Sequence, residues 1–101
     1  MAVEEVERFE DERYLLLKVI LCGEVYVFLR DKKQNTEFLC LEEREIDLSA
    51  FWKKHKMDRN YCLPCELMLQ FEKKAVKSSE HGIVDMGVER RNLELIGDFY
   101  K

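Results

Sequence analysis

Two groups of side chains in this chain of 101 residues are of types and spacings that could do chemistry. The first is Cys62-Leu63-Pro64-Cys65, a spacing that lets two thiolates reach one tetrahedral zinc, with His55 or His81 available to complete a site. No second CxxC is present. Cys22 and Cys40 lie inside apolar runs, where a thiol behaves as a small hydrophobe, so the metal reading is disfavoured. Thiol–disulfide exchange needs a strand leading to a helix that carries the second cysteine. Here the pair precedes a run with the alternation of a strand, which argues against exchange. Neither histidine belongs to a recognisable triad, and the four glycines form no phosphate-cradling motif. The expectation is a non-enzyme with no cofactor and no metal site.

The second group is aromatic and basic. Tyr14, Tyr26 and Phe28 could form a platform on one sheet surface, and bases stack on such rings for ~1–3 kcal/mol each. Lys18, Arg30, Lys32 and Lys33 adjoin them in sequence and could neutralise phosphates. The ordinary alternative is that a second layer covers the rings, either the carboxyl-terminal elements or another copy of the chain. Lys53, Lys54, Lys56 and Arg59 form the densest basic cluster. It could bind phosphate or an acidic partner, or be a solvated helix face suited to its own dipole.

The elements that must position these residues follow from periodicity. Tyr14 to Leu21 is a strand-like run with both faces apolar, and Gly23 marks a hairpin turn into Val25 to Arg30. There Val25, Val27 and Leu29 share one face and Tyr26 and Phe28 the other. Asp31 to Asn35 is a polar turn before a third strand, Thr36 to Glu42. Asp47 or Ser49 can cap a helix whose Leu48, Phe51, Trp52 and His55 share one side. Cys65 to Phe71 alternates like a fourth strand, Lys73 to Gly82 reads as a loop or extended tip, and Ile83 to Val88 and Asn92 to Ile96 read as two short strands. The predicted class is α+β, an antiparallel sheet of about five or six strands packed on one main helix.

Composition sets the limits. With 47% hydrophobic and 38% charged residues, the chain can bury a core without disulfides or metals. The net charge of -4 is concentrated at the amino terminus, where six carboxylates oppose only Arg8 in the first twelve residues. Residues 1–12 are therefore expected to be an acidic arm, solvated or docked as a short turn, and 13–101 a single domain. An acidic chain is a poor nonspecific duplex binder, because phosphate contacts dominate that affinity. With no basic-then-apolar leader, reduced thiols and a nuclear or cytoplasmic location are expected.

Arg13-Tyr14, the hairpin through Gly23, the strand Val25 to Arg30, and Ile46-Asp47-Leu48-Ser49 leading to Trp52 resemble the single-stranded DNA-binding domain of the transcriptional positive cofactor four family. The sheet-then-helix order is also similar to that of the Pur and Whirly proteins. The resemblance implies a curved four-stranded sheet on a helix, paired as a dimer, gripping melted DNA through Lys18, Tyr26, Phe28 and Arg30. The expected function is thus a non-catalytic single-strand-binding or transcription-cofactor-like module. The alternative is a protein-interaction adaptor or homodimer using the same aromatic face or a free strand edge. Neither reading involves a membrane.

Overall fold

A strand that is apolar on both faces must be covered on both, and that requirement organises the molecule. The computed structural model describes residues 3–71, 75–78 and 90–100. Its antiparallel sheet has four long strands, β1 (Glu4–Glu10), β2 (Tyr14–Leu21), β3 (Glu24–Asp31) and β4 (Thr36–Leu41), with the short β5 (Ala75–Ser78) along the edge of β4, in the order β1-β2-β3-β4-β5. Among the described residues three helices accompany it: α1 (Leu48–Met57), α2 (Leu63–Gln70) and α3 (Arg90–Phe99). The α+β class with an antiparallel sheet holds, whereas one main helix does not. Cys65 to Phe71 and Asn92 to Ile96, read as strands from alternation, are largely helical. The expected strand Ile83 to Val88 lies outside the described residues, as does His81.

The β2–β3 hairpin closes through Cys22 and Gly23, both at positive φ (55° and 78°), a twisted two-residue turn for which Gly23 carries no Cβ penalty. Because Leu21 pairs with Glu24, every pair across the hairpin joins an even to an odd residue. Leu16 therefore faces the same way as Leu29, and Leu17 the same way as Phe28. One face buries Tyr14, Leu16, Val27, Leu29, Phe38 and Cys40 against Leu48 of α1 and Leu63 and Leu67 of α2. The other buries Leu15, Leu17, Val19, Tyr26, Phe28 and Leu39 against Leu93 and Ile96 of α3.

The acidic amino-terminal residues are a strand of this sheet, a correction to the expected arm. Val3, Val6 and Phe9 have a helix-like spacing, but a register shift between Glu5 and Glu7 places Val6 in a bulge. The bulge changes the parity of the strand. Phe9 then packs toward α1, 5.8 Å from the Trp52 ring, while Val3 packs on the α3 side. Bulge and carboxylates together make β1 a protected edge, poorly suited to accepting a further strand.

Asp11 ties the β1–β2 turn to α1. Its Oδ1 accepts the Arg13 and Tyr14 amides at 2.9 and 2.7 Å, and its Oδ2 meets His55 Nε2 at 2.9 Å and Lys56 Nζ at 3.1 Å. Burial pushes this carboxyl up, but the Tyr14 amide, His55, the Arg13 amide and Lys56 together outweigh it and hold the group well below the usual carboxylate range. A carboxyl depressed on folding stabilises above its unfolded pKa and loses that contribution as pH falls through the folded value. Asp11→Asn should therefore cost about 1–2 kcal/mol near neutrality. In urea titrations at descending pH, the gap between variant and wild type should narrow once the medium is more acidic than about pH 4. A gap that does not depend on pH would assign the loss to packing.

Candidate interaction surface

The structure separates the residues proposed for a stacking platform. Tyr14 lies on the α1–α2 face of the sheet, while Tyr26 and Phe28 lie on the other, because the two-residue turn pairs positions of opposite parity. Tyr26 and Phe28 are 4% and 0% exposed beneath α3. Neither ring can receive a base in this fold. The Tyr26 hydroxyl donates to Glu24 Oε2 at 2.9 Å and accepts from Asn92 Nδ2 at 2.9 Å, so its polar end is also occupied. Burial and the Glu24 carboxylate push the phenol up to about 12, keeping it protonated as a donor.

The cations assigned to phosphate are engaged in the fold. Lys18, buried on the α1–α2 face, sits 3.2 Å from Glu42 Oε1 and donates to the Ile46 carbonyl at 3.0 Å; Glu42 in turn accepts the Ile46 amide at 2.8 Å. The closed network holds the segment that enters α1. Arg30 donates to the Gly97 and Tyr100 carbonyls at 3.0 and 3.1 Å, tying down the end of α3, where Gly97 also accepts the Tyr100 amide at 3.3 Å. It also pairs with Glu37 at 3.4 Å and lies 5.4 Å from the centre of the Phe28 ring. A Cβ at position 97 would sit 2.7 Å from Glu37 Oε2, so glycine there lets α3 approach this pair. Lys32 bonds Glu10 at 2.6 Å and the Asp11 carbonyl at 3.0 Å, joining the edge strand to the turn after β3. Lys33 is exposed in the turn after β3, and its amide donates to Asp31 Oδ1 at 3.0 Å.

What the fold does present is the outer side of the α1–α2 pair. Met57 at the end of α1 and Met68 and Leu69 on α2 are exposed, Leu69 at 71%. Alternation hid this surface, since Leu67, Leu69 and Phe71 looked like one strand face. On a helix, Leu63, Leu67 and Phe71 repeat every four residues and turn inward, leaving Met68 and Leu69 outside. Lys53, Lys54 and Lys56 of α1 and Arg59 just beyond it are also exposed. Lys54 stands 5.1 Å over the Tyr61 ring, and Lys56 reaches both Asp11 and the Trp52 ring. Asp47 caps α1 by accepting the Ala50 amide and the Ser49 hydroxyl, and the basic residues of its last turn suit the negative end of the dipole.

The cysteine pair also differs from expectation. Cys62 and Cys65 are joined in a disulfide and stand at the start of a helix instead of before a strand. Two signals for that helix were present: a polarisable side chain that can act as N-cap, and Pro64 in the first turn. Among the described residues, no group of histidine, cysteine and carboxylate side chains is arranged to hold a metal ion. Nor is any helix among them long and apolar enough to cross a membrane. Comparison with family models, curated proteins and solved structures gives no match.

Proposed function

We propose that the chain is a non-catalytic protein-binding module, whose contact surface is the apolar and basic corner formed by α1 and α2. The observation that carries this reading is the exposure of Leu69, Met68 and Met57 on two adjoining helices, where three of the five exposed large apolar side chains among the described residues lie, Val6 on β1 and Phe99 on α3 being the others. Exposed methionine and leucine, with exposed lysines on the adjoining helix, suit a partner that offers both apolar and acidic side chains. With Tyr26 and Phe28 buried beneath α3, single-strand binding would rest on backbone attraction by exposed cations.

Leu69→Asp, at a solvent-facing position, should leave thermal stability within about 0.5 kcal/mol of wild type. In quantitative affinity capture, a specific partner should be retained by wild type in moderate salt and lost at least about tenfold with Leu69→Asp, a change of about 1.4 kcal/mol. Solution mass of the purified chain, with and without the substitution, distinguishes a second copy from a different protein. Salt-sensitive binding of a single-stranded oligonucleotide that Leu69→Asp leaves unchanged would overturn the reading in favour of nucleic acid.

A further inference from the structure

Cys62 is the N-cap of α2, and its Sγ accepts the Cys65 amide at 3.3 Å. The two Cα atoms are 5.2 Å apart, and both residues are exposed. Pro64 sits in the first turn, where its missing amide hydrogen leaves no helical bond unmade. The helix does not depend on the bridge for its attachment, since Leu63, Leu67 and Phe71 bury it in the core. A loop this short also constrains the unfolded chain less than a long one would. A covalent bond that adds little to folding and faces solvent at a helix start has the setting of an exchangeable disulfide.

We propose that Cys62 and Cys65 form a thiol–disulfide exchange site, with Cys62 as the sulfur that bonds to the co-reactant, a dithiol. The incoming thiolate bonds to Cys62 Sγ as the Cys62–Cys65 bond breaks, and the electron pair leaves on Cys65 Sγ, which takes up a proton. The donor's second thiol, having released its proton, attacks the donor sulfur of the mixed disulfide. Cys62 then departs as a thiolate, next to the Cys65 amide and the positive end of α2. The donor is oxidised by two electrons and the cysteine pair reduced by two, so no other oxidant is needed. Run in reverse, the same steps reduce a disulfide.

Position distinguishes the two sulfurs. Cys62 lies at the cap, where the helix amides favour a thiolate, and Cys65 lies one turn in and is placed to resolve the intermediate. Glu66, the acidic residue of the first turn, opposes this effect in part. Cys62 is itself exposed, and a groove lined in part by Phe38, Pro64, Cys65 and Met68 opens beside Cys65. The site is independent of whether the exposed corner of α1 and α2 recruits a protein, and its test does not involve that partner.

The intact chain would be equilibrated in glutathione buffers of graded ratio, acid-quenched, alkylated and read by site-resolved mass spectrometry. Cys62 and Cys65 should pass together from bridged to alkylated within that series, while the circular dichroism of the fold is retained. In the Cys65→Ser variant, Cys62 should accept glutathione and react with iodoacetamide at neutral pH at least about tenfold faster than Cys65 does in Cys62→Ser. A bridge that persists in every glutathione buffer, a fold lost on reduction, or equal reactivity of the two thiols would overturn the proposal. Retained exchange with no captured protein would leave it standing while removing the binding function proposed above.

Discussion

Phe28→Ala is expected to destabilise the chain by about 3–5 kcal/mol, the cost of removing a large ring from a site that cannot collapse around the space. The ring is fully buried between the sheet and α3, in a cluster with Leu17, Leu39, Leu93 and Ile96. Arg30 extends over it while holding the last carbonyls of α3, so the loss should spread to the helix that covers the sheet. Urea denaturation followed by circular dichroism measures the effect, and for a domain of this size it is a large share of total stability. A ring that served an exposed platform would behave in the opposite way. Its removal would leave the denaturation midpoint nearly unchanged and abolish binding to a single-stranded oligonucleotide.

That contrast follows from a feature already visible in the primary structure. Tyr14 to Leu21 has no polar face: Leu15, Leu17, Val19 and Leu21 alternate with Tyr14, Leu16, Lys18 and Ile20. A strand of this kind requires a layer on each side, which argues that the neighbouring rings of Tyr26 and Phe28 are covered too. The hairpin at Gly23, the alternation of β3, the turn before β4 and the capped helix after Asp47 were all legible, because each is set by local geometry. The layer that seals the rings was not. Asn92 to Ile96 is too short to separate a two-residue from a 3.6-residue period. Only with Tyr100 included does the spacing of Leu93, Ile96 and Tyr100 trace a helix face.

The same ambiguity governed Cys65 to Phe71, where alternating leucines were compatible with either element. Here the deciding information lay upstream. Cys62 as a cap and Pro64 in the first turn favour a helix start, and one is observed there. At the amino terminus the difficulty was different: the three-residue spacing from Val3 to Val6 to Phe9 comes from a bulge, and a bulge is specified by pairing with β2. Parity across the β2–β3 turn was within reach of the sequence, since a two-residue loop joins Leu21 to Glu24 and thereby sends Tyr14 and Tyr26 to opposite faces. The partners of Lys18, Arg30 and Lys32 depended on where distant elements docked, and no local pattern carries that information.

Lys18 makes the second large prediction, and it turns on what is left behind when the cation is removed. Its ammonium and the Glu42 carboxylate are both largely withdrawn from water, with side chains 11% and 6% exposed. Lys18→Met keeps much of the aliphatic stem but leaves Glu42 without its countercharge and the Ile46 carbonyl without its donor. Breaking one side of such a pair costs about 3–5 kcal/mol, more than the pair itself contributes, because an uncompensated buried charge remains. The companion change Glu42→Leu, made in the Lys18→Met background, should recover part of that loss. Recovery should stop short of wild type, since the Ile46 amide and carbonyl would both have lost their side-chain partners, at about 1–3 kcal/mol for each group left unpaired. Urea midpoints of the two single variants and the double variant form a cycle that isolates the coupling. If Lys18 were held for a ligand and not for the fold, Lys18→Met would denature with wild type and the cycle would show no interaction between the two sites.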